Sequence, residues 1–288
     1  MHLTKETLAI IQKSLDEDIG IKDITTCLTI PEGLKGQGII IAKEKGILCG
    51  IEIAKEIFKT LDQEISFKGF KKDGALIEKD EKIAQITGNS RTILTGERVA
   101  LNFLSLLSGI STSTKRFVDK VRGTKSKILD TRKTTPTLRS LEKYAVKTGG
   151  GTNHRETLFQ GILVKDNHIK ALKCLNNGKL DKKKISAIIN KIKSNTSIKI
   201  EIEVETMAEF IIVAENKPDI IMLDNFTLPN LIKTVEKRNK CYPNILIEAS
   251  GGITLKNVKK VARAGVDFIS IGMLTHSPKA LDFSLDIV

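Results

Sequence analysis

Asp130, Thr131, Arg132 and Lys133 stand together in "KILDTRKTTPTLRSLEKY", directly after a short apolar run. His154 and Arg155 follow in "TNHR", and Lys165 ends the run "GILVK" just ahead of Asp166, Asn167 and His168. Carboxylates occupy the same kind of place further on: Glu203 and Glu205 in "IKIEIEVE", and Asp224 at the end of "IIMLD". Ser250, Gly251 and Gly252 follow another run in "EASGG", and Gly272 closes "FISIG". Arginine forks and lysine point charges grip carboxylates and phosphates. Carboxylates hold hydroxyls or divalent cations and oppose developing positive charge. Small residues in a turn let backbone N–H groups approach a phosphate. The set therefore suits a polyanionic substrate, a metal-bound pyrophosphate and a second anion.

Several neighbours have simpler readings. Arg139 and Lys143 are expected on the exposed side of a helix near Glu142, with structural roles. Glu205 reads as a solvated neighbour of Glu203, and His168 serves equally well as a cap on the strand turn. "GGG" at 149–151 is a helix stop first and a site of close backbone approach second. "GQGIII" lacks a third glycine, and no GxxxxGK[ST] occurs, so neither nucleotide-binding glycine motif is available.

For these residues to meet, the runs before them must lie side by side. From about residue 128 onward, β-branched apolar runs at 127–130, 161–165, 198–205, 220–224, 245–249 and 268–272 alternate with amphipathic segments at 136–148, 181–194, 206–216, 227–239 and 254–264. That rhythm predicts βα units and a parallel sheet. Six such units suggest a TIM-like α/β barrel, with an open doubly wound sheet as the second choice. In either architecture ligands collect at the C-terminal strand ends, where the residues above sit. Residues 1–110 read as an N-terminal α+β sandwich domain, with antiparallel strands in "KGQGIIIAKEKGILCG", "EISFKGF" and "EKIAQITG" and helices near 4–18, 51–61 and 91–109. The barrel is then 111–274, and the tail 275–288 is expected to pack back on the first domain.

Composition narrows the class. The 288-residue chain is 40% hydrophobic and 28% charged, ordinary for a globular enzyme. Its net charge of +13 comes from lysines spread throughout and interleaved with acids; two tyrosines and no tryptophan argue against a nucleic-acid partner. No run approaches 18 consecutive apolar residues, so no membrane span is expected. "MHLTKETLAIIQKSLDED" reads as an amphipathic helix of the fold rather than a secretory signal, which points to the cytoplasm. The four cysteines are scattered and fit reduced structural thiols.

"DTRKTTPTLRSLEKYAVKTGGGTNHR", "ILVKDNHI", "IEVE", "LDNF", "EASGGIT" and "ISIGMLTHSPKALDFSL" resemble the quinolinate phosphoribosyltransferases, also called nicotinate-nucleotide pyrophosphorylases (carboxylating). "DITT" at 23–26 and "GERVALNFLSLLSGIST" extend the resemblance over essentially the whole chain. Two departures are visible: Thr137 where the family often has glycine after the proline, and "IKDITT" where a glycine often precedes the aspartate.

The resemblance implies an α+β domain on an α/β barrel, a homodimer or higher oligomer with active sites shared across the interface, and quinolinate, phosphoribosyl pyrophosphate (PRPP) and Mg²⁺ as ligands. It implies that quinolinate's carboxylates meet Arg132, His154 and Arg155, with Arg98 reaching in from the partner subunit. Lys133 and Lys165 would contact the pyrophosphate or the reacting region. Glu203 and Asp224 would hold the ribose hydroxyls and, directly or through water, the metal. Thr131, Ser250, Gly251, Gly252 and Gly272 would complete the substrate site, the last four through backbone N–H groups on the 5′-phosphate. Two other readings share these residues: a pyrophosphorylase-like protein of molybdenum transport, and an aldolase-type barrel with Lys165 as Schiff-base lysine.

Overall fold

The computed structural model describes residues 3–176 and 179–288. The chain divides into two compact units, one of Met1–Lys115, Thr134–Gly150 and Met273–Val288, the other of Arg116–Lys133 and Gly151–Gly272.

The second unit carries the strand ends. Its strands are β1 (Lys127–Leu129), β2 (Ile162–Val164), β3 (Ile200–Val204), β4 (Ile220–Asp224), β5 (Leu246–Ser250) and β6 (Phe268–Ser270). They pair in parallel in the order β1-β6-β5-β4-β3-β2, the six-stranded α/β barrel sheet that the βα rhythm predicts. Beyond β1, Thr152 continues the hydrogen bonding: its N–H donates to Ile128 O at 2.8 Å, and its carbonyl accepts from Asp130 N at 3.3 Å.

Alternation within a strand decides which side chains face inward. Ile200, Ile202 and Val204 are buried on one face of β3, while Glu201 and Glu203 share the other. Register then lines up Glu203, Met222 and Glu248 across three strands, and Asp224 with Ser250.

Capped helices return the chain to each next strand. The Asp181 carboxylate accepts from the N–H groups of Lys183 and Lys184 at the start of Lys182–Asn195, and Thr206 with Glu209 forms a capping box before Met207–Ala214. Leu228–Cys241 begins close to expectation. The helix expected from 254 spans only Val258–Arg263, because Asn257 Oδ1 accepts from Thr254 N at 2.8 Å and holds the preceding residues in a turn.

The first unit contains a four-stranded antiparallel sheet in the spatial order Phe283–Ile287, Lys35–Ala42, Lys82–Asn89 and Ser66–Gly69. Helices Lys5–Ile19, Ile51–Leu61 and Ser90–Val121 belong to it wholly or in most of their length. Ser90–Val121 is apolar and long enough to cross a membrane by composition alone, yet 61% of its apolar window is buried inside the fold, as in a core helix.

The contacts divide the chain differently from the expected boundary. Residue 110, the expected domain boundary, falls inside the continuous helix Ser90–Val121. The segment Thr134–Gly150, expected in the barrel, groups with the first unit. The cause is close packing on that long helix. Ser111 Oγ donates to Ala145 O at 2.7 Å, and a Cβ on Gly149 would stand 2.4 Å from Ser111 O. The helix Arg139–Thr148 buries Leu141, Ala145 and Val146, but also Glu142 and Lys143, the latter expected on the exposed side. It begins at Arg139 rather than 136 because Thr137 adopts φ +70° and interrupts the helical path.

Candidate active site

The cationic side is built on the ends of β1 and β2 and the loop between them. Lys133 N–H donates to Thr131 Oγ1 at 3.0 Å, so the threonine hydroxyl shapes the turn that carries Arg132. Arg132 Nε is buried and has no hydrogen-bond partner among the described residues. The Arg155 guanidinium donates from Nη1 to Gly161 O at 2.7 Å. Burial and then the neighbouring Arg132 charge hold Arg155 below the ordinary arginine value, with Glu201 opposing them. The Arg132 charge thus works against that of Arg155, and Arg132 carries a buried donor without a partner among the described residues. Lys165 is half exposed and stands 3.5 Å from Glu203 Oε2. His168 is a cap, as the simpler reading had it: its Nδ1 accepts from Lys165 N at 2.9 Å.

The acidic side is built on β3, β4 and β5. Glu203 is largely buried. Burial lifts its pKa above the usual carboxylate range; Lys165 opposes this, and the Asp224 charge adds to it. Asp224 Oδ2 accepts from Asn225 Nδ2 at 2.7 Å. Glu205 is exposed, in keeping with a solvated role. The turn after β5 fits tightly against Asn225. Gly251 has φ +85°, and a Cβ there would lie 2.1 Å from Asn225 Oδ1, so only glycine fits. At Gly252 nothing lies within 4 Å of where a Cβ would be, and the turn is open on that side. Gly272 follows β6 and is half-buried.

The barrel interior holds a cluster that the sequence reading missed. His154 Nε2 stands 3.0 Å from Glu201 Oε2 and 3.7 Å from Glu248 Oε2. Both carboxyls are buried, and their Oε1 atoms have no partner among the described residues. Burial and then the Glu201 charge hold the Glu248 pKa well above the usual carboxylate range. The other ring nitrogen, Nδ1, accepts from Arg155 N at 2.8 Å. His154, expected among the anion-binding cations, therefore has both ring nitrogens turned to protein partners.

The three potential ligand atoms of this cluster lie within 4.8 Å of one another. A metal on Nε2 of a neutral imidazole would require the proton on Nδ1. Nδ1 is already an acceptor, so the geometry does not suit a metal there. Glu203 and Asp224 are the better pair for a hard cation. A signal for Glu201 was present, because "IEIEVE" sets 201, 203 and 205 on one strand face, but alternation alone does not say how deep each acid sits.

One remaining candidate, Arg98, and the structural Arg139 lie in the first unit. Arg98 is 63% exposed on the helix Ser90–Val121, 3.8 Å from Glu97. Arg139 Nε donates to Thr134 Oγ1 at 3.0 Å, a bond that stabilises the start of its own helix.

Comparison with known proteins identifies the family. Residues 23–108 match the family model of the quinolinate phosphoribosyl transferase N-terminal domain, and residues 110–286 that of the C-terminal domain. A probable nicotinate-nucleotide pyrophosphorylase (carboxylating) of Methanocaldococcus jannaschii is 42% identical over 291 residues, covering 98% of this chain and 97% of that protein. The nicotinate-nucleotide pyrophosphorylase (carboxylating) of Mycobacterium leprae is 36% identical over 284 residues, covering 96% and 95%. Among solved structures, the nicotinate-nucleotide pyrophosphorylase of Ehrlichia chaffeensis superposes with a TM-score of 0.90 at 36% identity, covering 100% of both chains. With both family domains matched in order along its length, the chain belongs to the quinolinate phosphoribosyl transferase family.

Proposed function

We propose that the chain transfers the phosphoribosyl group of PRPP to quinolinate, giving nicotinate mononucleotide, pyrophosphate and CO₂, a step of de novo NAD biosynthesis. The observation that carries the substrate assignment is the pair of neighbouring guanidinium groups: Arg132 Nε is buried without a partner among the described residues, and burial and then the Arg132 charge hold Arg155 below its ordinary pKa. A dicarboxylate answers both at once, because each carboxylate supplies acceptors and negative charge where the protein lacks them. Arg132 and Arg155 receive the two carboxylates of quinolinate. Lys133 and Lys165 face the pyrophosphate, and Ser250, Gly251, Gly252 and Gly272 carry the 5′-phosphate on backbone N–H groups.

The chemistry follows from charge. The pyridine nitrogen attacks the anomeric carbon as its bond to pyrophosphate breaks, so positive charge grows on the ribose and negative charge on the leaving group. Glu203 and Asp224 hold the ribose hydroxyls and oppose the first, and the lysines oppose the second. The adduct is a pyridinium. Its 2-carboxylate leaves as CO₂, the electron pair stays at the ring carbon beside the cationic nitrogen, and a proton replaces the carboxylate. No protein nucleophile is required. The Lys165 amine, ion-paired and half in solvent, has the surroundings of a charge rather than of a desolvated Schiff-base nucleophile. Positioning and electrostatics supply the rate.

Mg²⁺ fits Glu203 and Asp224, whose oxygen donors suit a hard cation and whose mutual repulsion such an ion would relieve. When bound, it supplies positive charge to the departing pyrophosphate. We further infer a homodimer in which Arg98 reaches the site of the partner subunit. Its exposure and long contact to Glu97 support this, as do Ile21, Ile24 and Leu28, large apolar side chains left in solvent in the same unit. A cytoplasmic setting suits the four free cysteines.

The test is direct. With quinolinate, PRPP and Mg²⁺ the protein should form nicotinate mononucleotide, pyrophosphate and CO₂ in equal amounts, and nicotinate should be a poor substrate. Equal turnover of nicotinate and quinolinate would refute the dicarboxylate site.

A further inference from the structure

We propose that Glu201, with Glu248 behind it, is a positioning residue: it holds His154 in one tautomer, and His154 fixes the backbone from which Arg155 reaches the substrate. The inference deepens the functional reading and rests on Arg155 being a carboxylate contact. A neutral imidazole carries one N–H. His154 Nδ1 accepts the Arg155 N–H at 2.8 Å, so the proton sits on Nε2 and is donated to Glu201 Oε2 at 3.0 Å. A protonated ring would offer no acceptor at Nδ1. The loop is thus held twice. The buried Asp130 carboxylate accepts the His154 N–H at 2.9 Å and anchors the backbone to the end of β1, while the buried Glu201 anchors the ring to β3. Arg155 leaves this anchored point with Nη1 on Gly161 O at 2.7 Å, and the rest of its five-donor fork remains to meet a ligand. Glu248, on β5, stands 3.7 Å from the same ring nitrogen and backs Glu201 in the interior. An acceptor-only carboxylate selects the tautomer, where a donor at the same place would oppose it.

The experiment has two arms. In wild-type protein labelled with ¹⁵N-histidine, two-bond ¹⁵N correlation spectra at pH 7 should show His154, assigned by its loss in His154→Gln, as the Nε2–H tautomer. An Nδ1–H tautomer or an imidazolium would overturn the proposal, whatever the substrate proves to be. In the kinetic arm, Glu201→Ala should raise the quinolinate KM about tenfold or more while the PRPP KM stays within about twofold. Glu201→Gln, which keeps an acceptor, should return the quinolinate KM to within about threefold of wild type. In a His154→Ala background, Glu201→Ala should add less than about twofold, because the two residues act in series. Equal rises in both KM values, or full additivity with His154→Ala, would reduce Glu201 to a general structural role. Should Glu201→Ala fail to fold, the wild-type spectra and Glu201→Gln still decide. Should wild type not turn over quinolinate, the functional reading fails, and the spectra alone judge the positioning claim.

Discussion

At the scale of single residues, Arg132 and Glu248 each hold a polar group where water does not reach it. A buried donor without an acceptor costs about 1–3 kcal/mol, and Arg132 Nε is in that position. Substrate carboxylate relieves the cost on binding. Arg132→Ala should therefore lower kcat/KM for quinolinate by about 100-fold, equivalent to ~2.7 kcal/mol. Steady-state kinetics at saturating PRPP check this, and a loss below about threefold would remove Arg132 from the site. Glu248 makes a stability prediction. Burial and Glu201 raise its pKa in the fold, so the folded chain holds that proton more tightly than the unfolded chain. The associated stability is fully present below the unfolded value of about 4.3 and is lost as pH rises through the raised folded value. Glu248→Gln avoids that loss. Its Tm should exceed wild type by a few degrees at pH 8, and the two should converge near pH 4. Parallel Tm profiles from calorimetry across this range would show that Glu248 does not titrate abnormally.

At the scale of elements, the turn before Arg139–Thr148 shows how one backbone angle outweighs a sequence signal. Pro136 suits a first helical turn, yet Thr137 at φ +70° forces the helix to start at Arg139. A β-branched residue in the left-handed region costs about 1–2 kcal/mol, part of which glycine gives back through its greater freedom when unfolded. This is also the position where the resembling family often has glycine. Thr137→Gly should stabilise the protein by up to about 1 kcal/mol, read as a higher denaturant midpoint at unchanged slope. A lower midpoint would mean that the threonine side chain contributes more than its backbone strain costs. The same kind of local override moved the start of Val258–Arg263, where Asn257 binds Thr254 N. Strands are more legible in the sequence than helix starts, because a parallel strand is an apolar run and a helix start is decided by one cap or one angle.

At the scale of the whole molecule, the proposed assembly predicts complementation between subunits. Arg98 lies in the first unit and Lys165 in the second. If Arg98 serves the partner's site, Arg98→Ala and Lys165→Ala homodimers should each be nearly inactive. A mixed dimer then has one site with both residues intact, and mixing should restore up to about half of the wild-type activity per mixed dimer if sites are independent. A mixture as inactive as its parents, with exchange verified by mass spectrometry, would assign Arg98 to its own subunit or to the fold.

The sequence by itself determined the βα rhythm, and with it the strand ends where Arg132, Lys165, Glu203, Asp224 and Gly251 sit. Both are local: a strand is recognised within a few residues, and the residue after it is then at its C-terminal end. The family signatures lie in those same short stretches. Tertiary structure alone decided depth and partnership. Glu201 and Glu203 look alike in "IEIEVE", but only the register of β3 with β4 and β5, and the return of the His154 loop beside β1, buries Glu201 next to Glu248 and His154. Burial of Lys143 and the grouping of 134–150 with the first unit depended likewise on packing between segments far apart in sequence. The physical reason is that desolvation and ion pairing depend on everything within a few ångströms, and no window along the chain contains those neighbours.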